Sequence, residues 1–292
     1  MSVCTLCPRA CGRDRSREKG FCGVSEEMLI ARAAPHLWEE PCISGKNGSG
    51  AIFFAGCTLK CVFCQNMEIS RGLKGVRVSP DGLADIMKRL CDAGVHNINI
   101  VTGTHFIPGI LAAAERFRPP VPVVWNTGGY EETETLKRLE GFVDIYLPDF
   151  KHFSPRIAKL CCGAENYGEK AEAAIAEMVR QTGSAVYDED GLMKRGTLIR
   201  HLVLPGCTGD SLRVLDRIAE RFPGVPVSLM RQYTPPAGVT LPPPLDRRVN
   251  EKEYERVREH FDALGLSGYT QDAESAESAY TPPFDLTGVL SR

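Results

Sequence analysis

The sequence predicts an α/β protein: a partial (β/α)6 TIM-type barrel with an N-terminal cysteine-rich segment and a C-terminal appendage. Three observations carry this. Six short apolar runs are rich in β-branched and aromatic residues, as buried strands are. The stretches between them repeat apolar residues at three- and four-residue intervals, as amphipathic helices do. Strand and helix alternate, which implies a parallel sheet with right-handed crossovers.

In order, the strands are expected at 51–56 (AIFFAG), 95–102, 121–127, 143–150, 197–204 and 225–233. Helices are expected at 80–92, 107–117, 131–139, 157–181 and 210–222. The 292 residues suit one barrel with additions. The chain divides into the cysteine-rich segment 1–49, the barrel 50–233 and the appendage 234–292. That appendage opens on Pro235-Pro236 and Pro242-Pro243-Pro244, continues as a helix near 249–264 and includes an acidic, serine-rich turn at 271–278. The run Ser44-Gly45-Lys46-Asn47-Gly48-Ser49-Gly50 lacks the order of a phosphate loop and leads into a strand, so it reads as a turn. Ligands of parallel α/β folds gather at the C-terminal ends of strands. Here those ends carry Cys57, Gly103-Thr104-His105, Asn126, Asp149-Phe150-Lys151, Cys207 and Gln232.

A hydrophobic fraction of 43% with 25% charged residues is that of a globular chain. Lys and Arg total 35 against 37 Asp and Glu, a net charge of -2, which argues against a nucleic-acid or anionic-membrane partner. No apolar run nears the ~20 residues of a membrane span, and Met1-Ser2-Val3-Cys4 lacks the order of a signal peptide. A cytoplasmic location is therefore expected. Thiols stay reduced there, so the 12 cysteines read as metal ligands or buried free thiols. Eight of them lie within the first 64 residues, so the cysteine chemistry is mainly N-terminal.

Directly after the first expected strand comes Gly56-Cys57-Thr58-Leu59-Lys60-Cys61-Val62-Phe63-Cys64, a C-x3-C-x2-C loop with an aromatic residue before its last cysteine. Three thiolates on a short loop can hold three irons of a cubane and leave the fourth without a protein ligand. The alternative is zinc with a fourth ligand elsewhere, although structural zinc sites usually pair two C-x2-C knuckles. The loop and its position resemble the radical S-adenosylmethionine (SAM) superfamily. That resemblance implies a [4Fe–4S] cluster on Cys57, Cys61 and Cys64, with SAM chelating the open iron. It further implies a reductant such as flavodoxin or ferredoxin, and cleavage of SAM to a 5′-deoxyadenosyl radical that abstracts hydrogen. Many members carry Gly-Gly-Glu after the second strand, whereas this chain has Gly103-Thr104-His105. Asp149-Phe150-Lys151 is similar to the Asp-x-Lys of glycyl-radical-enzyme activases such as the pyruvate formate-lyase activating enzyme. The run 200–206 resembles their fifth strand, and Gln232 falls where they place a SAM-contacting histidine. On this resemblance Phe63, Thr104, His105, Asn126, Asp149, Lys151, Arg200 and Gln232 are the candidate cofactor contacts.

Before the barrel, Cys4-x2-Cys7-Pro8-Arg9-Ala10-Cys11 and Gly20-Phe21-Cys22-Gly23 gather four thiols that suit a structural zinc or a second cluster. Activases with auxiliary clusters usually add cysteines after the three-cysteine loop; here they precede it, as in a branch of activase-like proteins that the whole chain resembles. Cys91 reads as buried in a helix, Cys161-Cys162 as packing thiols and Cys207 as a thiol able to face a substrate. Three functions follow: an activase acting on a partner protein, a radical SAM enzyme acting on a small molecule or peptide, and a non-catalytic metal or electron-transfer protein.

Overall fold

A computed structural model describes residues 3–271 and 282–289. The chain runs through β1 (Met28–His36), a short α1 (Pro41–Ser44), β2 (Ser49–Phe54), a short α2 (Met67–Ser70), β3 (Val76–Val78) and α3 (Pro80–Asp92). It continues with β4 (Ile98–Val101), α4 (Ile107–Ala114), β5 (Val123–Thr127), α5 (Thr133–Leu136), β6 (Ile145–Pro148), α6 (Pro155–Cys162) and α7 (Tyr167–Thr182). Strands β7 (Val186–Tyr187), β8 (Met193–Thr197) and β9 (Ile199–Leu202) precede α8 (Thr208–Arg221), β10 (Val227–Met230), α9 (Glu251–Ala263) and β11 (Gly268–Thr270).

The six expected strands form one parallel series. β2, β4, β5 and β6 pair in that order, β9 pairs with β10, and a parallel bridge between Asp149 and Arg200 joins the two groups. All six are backed by core: Ile52, Ile100, Val123, Tyr146, Ile199 and Val227 are fully buried, and burying an aliphatic side chain of this size is worth roughly 1.5–3 kcal/mol. The helices between them start where capping dictates. Ser79 accepts the N–H of Gly82 and Pro80 occupies the first turn of α3, while Asn250 and Glu253 form a reciprocal capping box on α9.

Four features depart from the expected pattern. β1 lies in the segment read as cysteine-rich, yet pairs antiparallel with β2 along almost its whole length. The single helix expected at 157–181 is two, because Gly163 takes a left-handed conformation (φ 60°) that ends α6. The expected strand at 197–204 is preceded by β8, which pairs with β6 before the chain moves over to β10. The tail is less of an appendage than expected: β11 adds a parallel strand beside β10, and residues 282–289 return to β1, where Ala33 and Leu286 exchange backbone bonds with Thr287 and Ala31. Most of the acidic turn, 272–278, lies outside the described residues. Among the described residues, no helix is long and apolar enough to cross a membrane.

Candidate functional site

The three-cysteine loop leaves β2 through Gly56, whose positive φ of 87° and 2.9 Å clearance between a built Cβ and the Cys22 carbonyl oxygen exclude a side chain. The Cys57 sulfur accepts the N–H groups of Leu59 (3.3 Å) and Lys60 (3.5 Å), and the Ser70 hydroxyl stands 3.5 Å from the Cys64 sulfur. Two arginines brace the loop backbone. Arg71 donates to the carbonyls of Lys60 (2.5 Å) and Cys61 (3.0 Å). Arg9, from the N-terminal segment, reaches the carbonyls of Thr58 (2.9 Å) and Leu59 (3.5 Å) on the loop, and of Cys162 (3.0 Å) and Gly163 (2.6 Å) at the end of α6. Burial pushes the Cys57 thiol up to about 12, with the neighbouring Cys61 and Cys64 adding to the shift. Coordination to a cation reverses that balance, because a metal-bound thiol is deprotonated.

Beside the loop a cavity of ≈ 230 Å³ opens at the C-terminal edge of the sheet, with Cys61, Phe63 and Cys64 on one side. Asn126, Asp149, Lys151, Arg200 and Gln232, from four different strands or the segments leaving them, form another part of its wall. Lys151 Nζ is 2.5 Å from Asp149, and Arg200 is 2.9 Å from the other oxygen of that carboxylate. Arg200 also donates to Asn126 (2.7 Å) and stands 3.4 Å from Glu39. Burial opposes the charge on Asp149, but Arg200 and Lys151 outweigh it and hold the carboxyl below its ordinary range. Burial likewise opposes the charge on Lys151, and Asp149 and Cys61 reverse the effect, raising its pKa.

The strand exit bearing Asp149 and Lys151 is itself constrained. Tyr167, fully buried on α7, accepts the Lys151 N–H (3.0 Å) and lies 2.6 Å from the Asp149 carbonyl oxygen. Gly129 (φ 79°) passes so close that a Cβ there would lie 2.2 Å from that same oxygen. Asp210 on α8 accepts the N–H groups of Phe153 (3.2 Å) and Ser154 (2.7 Å), securing the chain just beyond Lys151.

Of the expected contacts, the structure brings Phe63, Asn126, Asp149, Lys151, Arg200 and Gln232 to one cavity and leaves Thr104 and His105 outside it. Thr104 donates to Glu131 (2.6 Å), and His105, 3% exposed, sits 2.9 Å from the Ala55 carbonyl, where burial lowers its pKa to about 4. The His105 carbonyl is already taken by Arg15 (2.5 Å). Thr102, at a positive φ of 60°, and the helical turn after it direct both side chains into the core. Sequence reasoning missed Glu39, which accepts from Asn99 (3.2 Å) and Asn126 (3.0 Å) and faces Arg200 on the cavity wall. It follows β1, the strand that the hydrophobic pattern did not reveal.

The N-terminal cysteines are neighbours of this loop. The sulfurs of Cys11 and Cys22 both flank Gly20, and the Cys22 carbonyl accepts the Cys57 N–H at 3.2 Å. Among the described residues no three His, Cys, Asp or Glu side chains converge tightly enough for one metal ion. A cubane makes a different demand, since each thiolate binds a separate iron. A short cysteine loop with amide N–H groups aimed at its sulfur, an open cavity alongside and a buried cation in that cavity fit a [4Fe–4S] cluster with a carboxylate-bearing cofactor.

The radical SAM superfamily model matches residues 51–219. An uncharacterised protein of Methanocaldococcus jannaschii is 30% identical over 276 residues, covering 90% of this chain and 75% of its own. SuiB of Streptococcus suis, solved bound to SAM, superimposes with a TM-score of 0.50 at 13% identity over 74% of this chain, and the match spans 48% of SuiB. A radical SAM methyltransferase of Sphaerobacter thermophilus gives 0.52 at 14% identity, over 76% of this chain and 65% of its own. At such identities the two structures speak to the fold alone, and they agree on it: an α/β fold with a mostly parallel central sheet. The family match, covering more than half of the chain, carries the assignment, and with it an enzyme built for a [4Fe–4S] cluster and SAM: this protein belongs to the radical SAM superfamily.

Proposed function

We propose that Cys57, Cys61 and Cys64 hold the cluster, that SAM occupies the adjoining cavity, and that the enzyme abstracts hydrogen from a partner protein, with activation of a glycyl radical enzyme as the leading case. The observation that carries this reading is the convergence of Asp149, Lys151 and Arg200 on the cavity that also exposes Cys61 and Cys64. When bound, the cluster and SAM supply one-electron cleavage of a carbon–sulfur bond, with methionine as leaving group and 5′-deoxyadenosine as the product after hydrogen transfer. Lys151 meets the SAM carboxylate. Asp149 holds that lysine charged and in place, Arg200 in turn fixes the Asp149 carboxylate, Asn126 and Gln232 offer polar contacts, and Phe63 closes the cluster side against water. The electron comes from a flavodoxin- or ferredoxin-class reductant.

The test is anaerobic reconstitution followed by iron counting and a SAM cleavage assay. Four irons per triad, a cluster spectrum altered by SAM, and 5′-deoxyadenosine formation abolished by Cys61→Ala are expected. Zinc in the triad, or a reduced cluster indifferent to SAM, overturns the reading. Absence of 5′-deoxyadenosine formation by the unaltered, reduced protein would also remove the ground for separating this chain from a non-catalytic electron carrier. A glycyl radical signal in a partner protein supports the activase case.

A small-molecule or short-peptide substrate is the second reading. A further cavity of ≈ 420 Å³ shares Glu39, Arg200 and Gln232 with the first and is edged by Leu37 and Trp38, both more than half exposed. Turnover that depends on one added compound favours it. Cys4, Cys7, Cys11 and Cys22 are proposed to hold a second metal, zinc or an iron–sulfur cluster, which metal analysis of Cys7→Ser against the unaltered chain decides.

A further inference from the structure

The cluster loop is built against a thiol that the triad does not include. Cys162, the last residue of α6 and 1% exposed, places its sulfur 3.3 Å from that of Cys61. This is far longer than a disulfide bond of about 2.05 Å, and both residues are free cysteines. It is also too close for two ligands on separate irons of one cubane, so Cys162 is not a fourth ligand. The contact is held from outside. Val62, inside the loop, donates its N–H to the Cys161 carbonyl at 2.9 Å. Arg9 bonds both the loop carbonyls of Thr58 and Leu59 and the carbonyls of Cys162 and Gly163. Gly163 turns the chain out of α6 immediately afterwards, so the helix end and the loop form one clamped unit.

We propose that Cys162 is a positioning residue for the cluster: its S–H donates a hydrogen bond to the Cys61 sulfur and thereby raises the cluster's reduction potential. This rests on the assignment of Cys61 as a cluster ligand. The physical basis is that each donor to a ligand sulfur stabilises the more electron-rich reduced state, and such bonds help set iron–sulfur potentials. A thiol suits the role because it is a weak donor that packs as a small hydrophobe, so the contact needs no water in the buried loop.

The experiment is EPR-monitored redox titration of the reconstituted full-length chain without SAM, comparing the unaltered protein with Cys162→Ala, Cys162→Ser and Cys161→Ala. Cys162→Ala is expected to lower the potential, cutting the ratio of reduced to oxidised cluster at a fixed solution potential by about threefold to tenfold, tenfold being about 59 mV for one electron. Cys162→Ser keeps a donor and is expected to stay near the unaltered protein. Cys161→Ala alters the same helix end but keeps the backbone carbonyl that accepts the Val62 N–H, so no shift is expected. Equal potentials in the unaltered protein and Cys162→Ala overturn the proposal, as does a serine variant that falls with the alanine one. Should the alanine variant not fold, Cys162→Val, which also lacks a donor and fills more of the space, takes its place with the same expected fall, and an unchanged potential there overturns the proposal. Loss of the cluster from a folded Cys162→Ala also overturns it, because Cys162 would then be needed for assembly and not for tuning. A cluster that titrates but ignores SAM removes the functional reading and leaves the Cys162 comparison standing, whereas a chain that assembles no iron cluster removes both.

Discussion

Replacing Asp149 by asparagine tests the charge arrangement of the cavity. Glu39, Asp149, Lys151 and Arg200 form a neutral set of two acids and two bases whose side chains are only 10–15% exposed. Asp149→Asn keeps the shape and leaves two cations facing one carboxylate. Removing one partner of a buried pair costs roughly 3–5 kcal/mol, and the residual exposure places this case near the lower end, about 3 kcal/mol. Anaerobic urea denaturation measures it as a fall in the midpoint at unchanged slope. The sign with pH follows from the depressed carboxyl. Its stabilisation is fully present above the ordinary value of 3.8 and is lost as pH falls through the lower folded value. The gap between the two proteins should therefore be widest near neutrality and shrink below about pH 4. A loss under about 1 kcal/mol at pH 7, the range of exposed ion pairs, would refute the reasoning.

Three further outcomes follow from neighbouring residues. Burial raises the Glu131 carboxyl from 4.5 to about 7 against the pull of the Thr104 and Thr127 hydroxyls, so the unfolded chain releases this proton first and the enzyme loses stability between those values. Glu131→Gln should remove that pH dependence, worth on the order of 3 kcal/mol at neutrality, and identical pH–stability profiles would contradict it. Gly129→Ala combines a positive φ with a Cβ 2.2 Å from the Asp149 carbonyl oxygen; thermal unfolding should register a cost well above about 1 kcal/mol, and a neutral substitution would count against the tight strand exit. Arg9→Ala removes bonds to four carbonyls that tie the N-terminal segment to the three-cysteine loop and the end of α6. Iron retention during gel filtration should fall while far-ultraviolet circular dichroism holds, and unchanged retention would mean that Arg71 and the loop's own bonds suffice.

The parts of the fold visible in the sequence are those where local chemistry is strong. The parallel strands are nearly continuous runs of large apolar residues, and α3 carries its own cap at Ser79, so their places follow from pattern alone. β1 escaped because MLIARAAPH carries few large apolar residues and its pairing with β2 is a long-range fact. β11 has only three residues, and the division of α6 from α7 turned on Gly163 within an otherwise helical pattern.

By itself, the sequence determined the cysteine pattern: C-x3-C-x2-C spacing, an aromatic residue and a strand-end position put three thiols at the mouth of a parallel fold. It also named most of the polar cavity wall, because strand ends are countable. Only the tertiary structure decided which strand-end side chains turn outward, excluding Thr104 and His105 and admitting Glu39. It alone brought Arg9 and Cys162, some 150 residues apart, onto the same loop. The reason is physical: a metal ligand's identity is fixed by the atom it offers, whereas a contact depends on backbone dihedrals and packing summed over the whole chain.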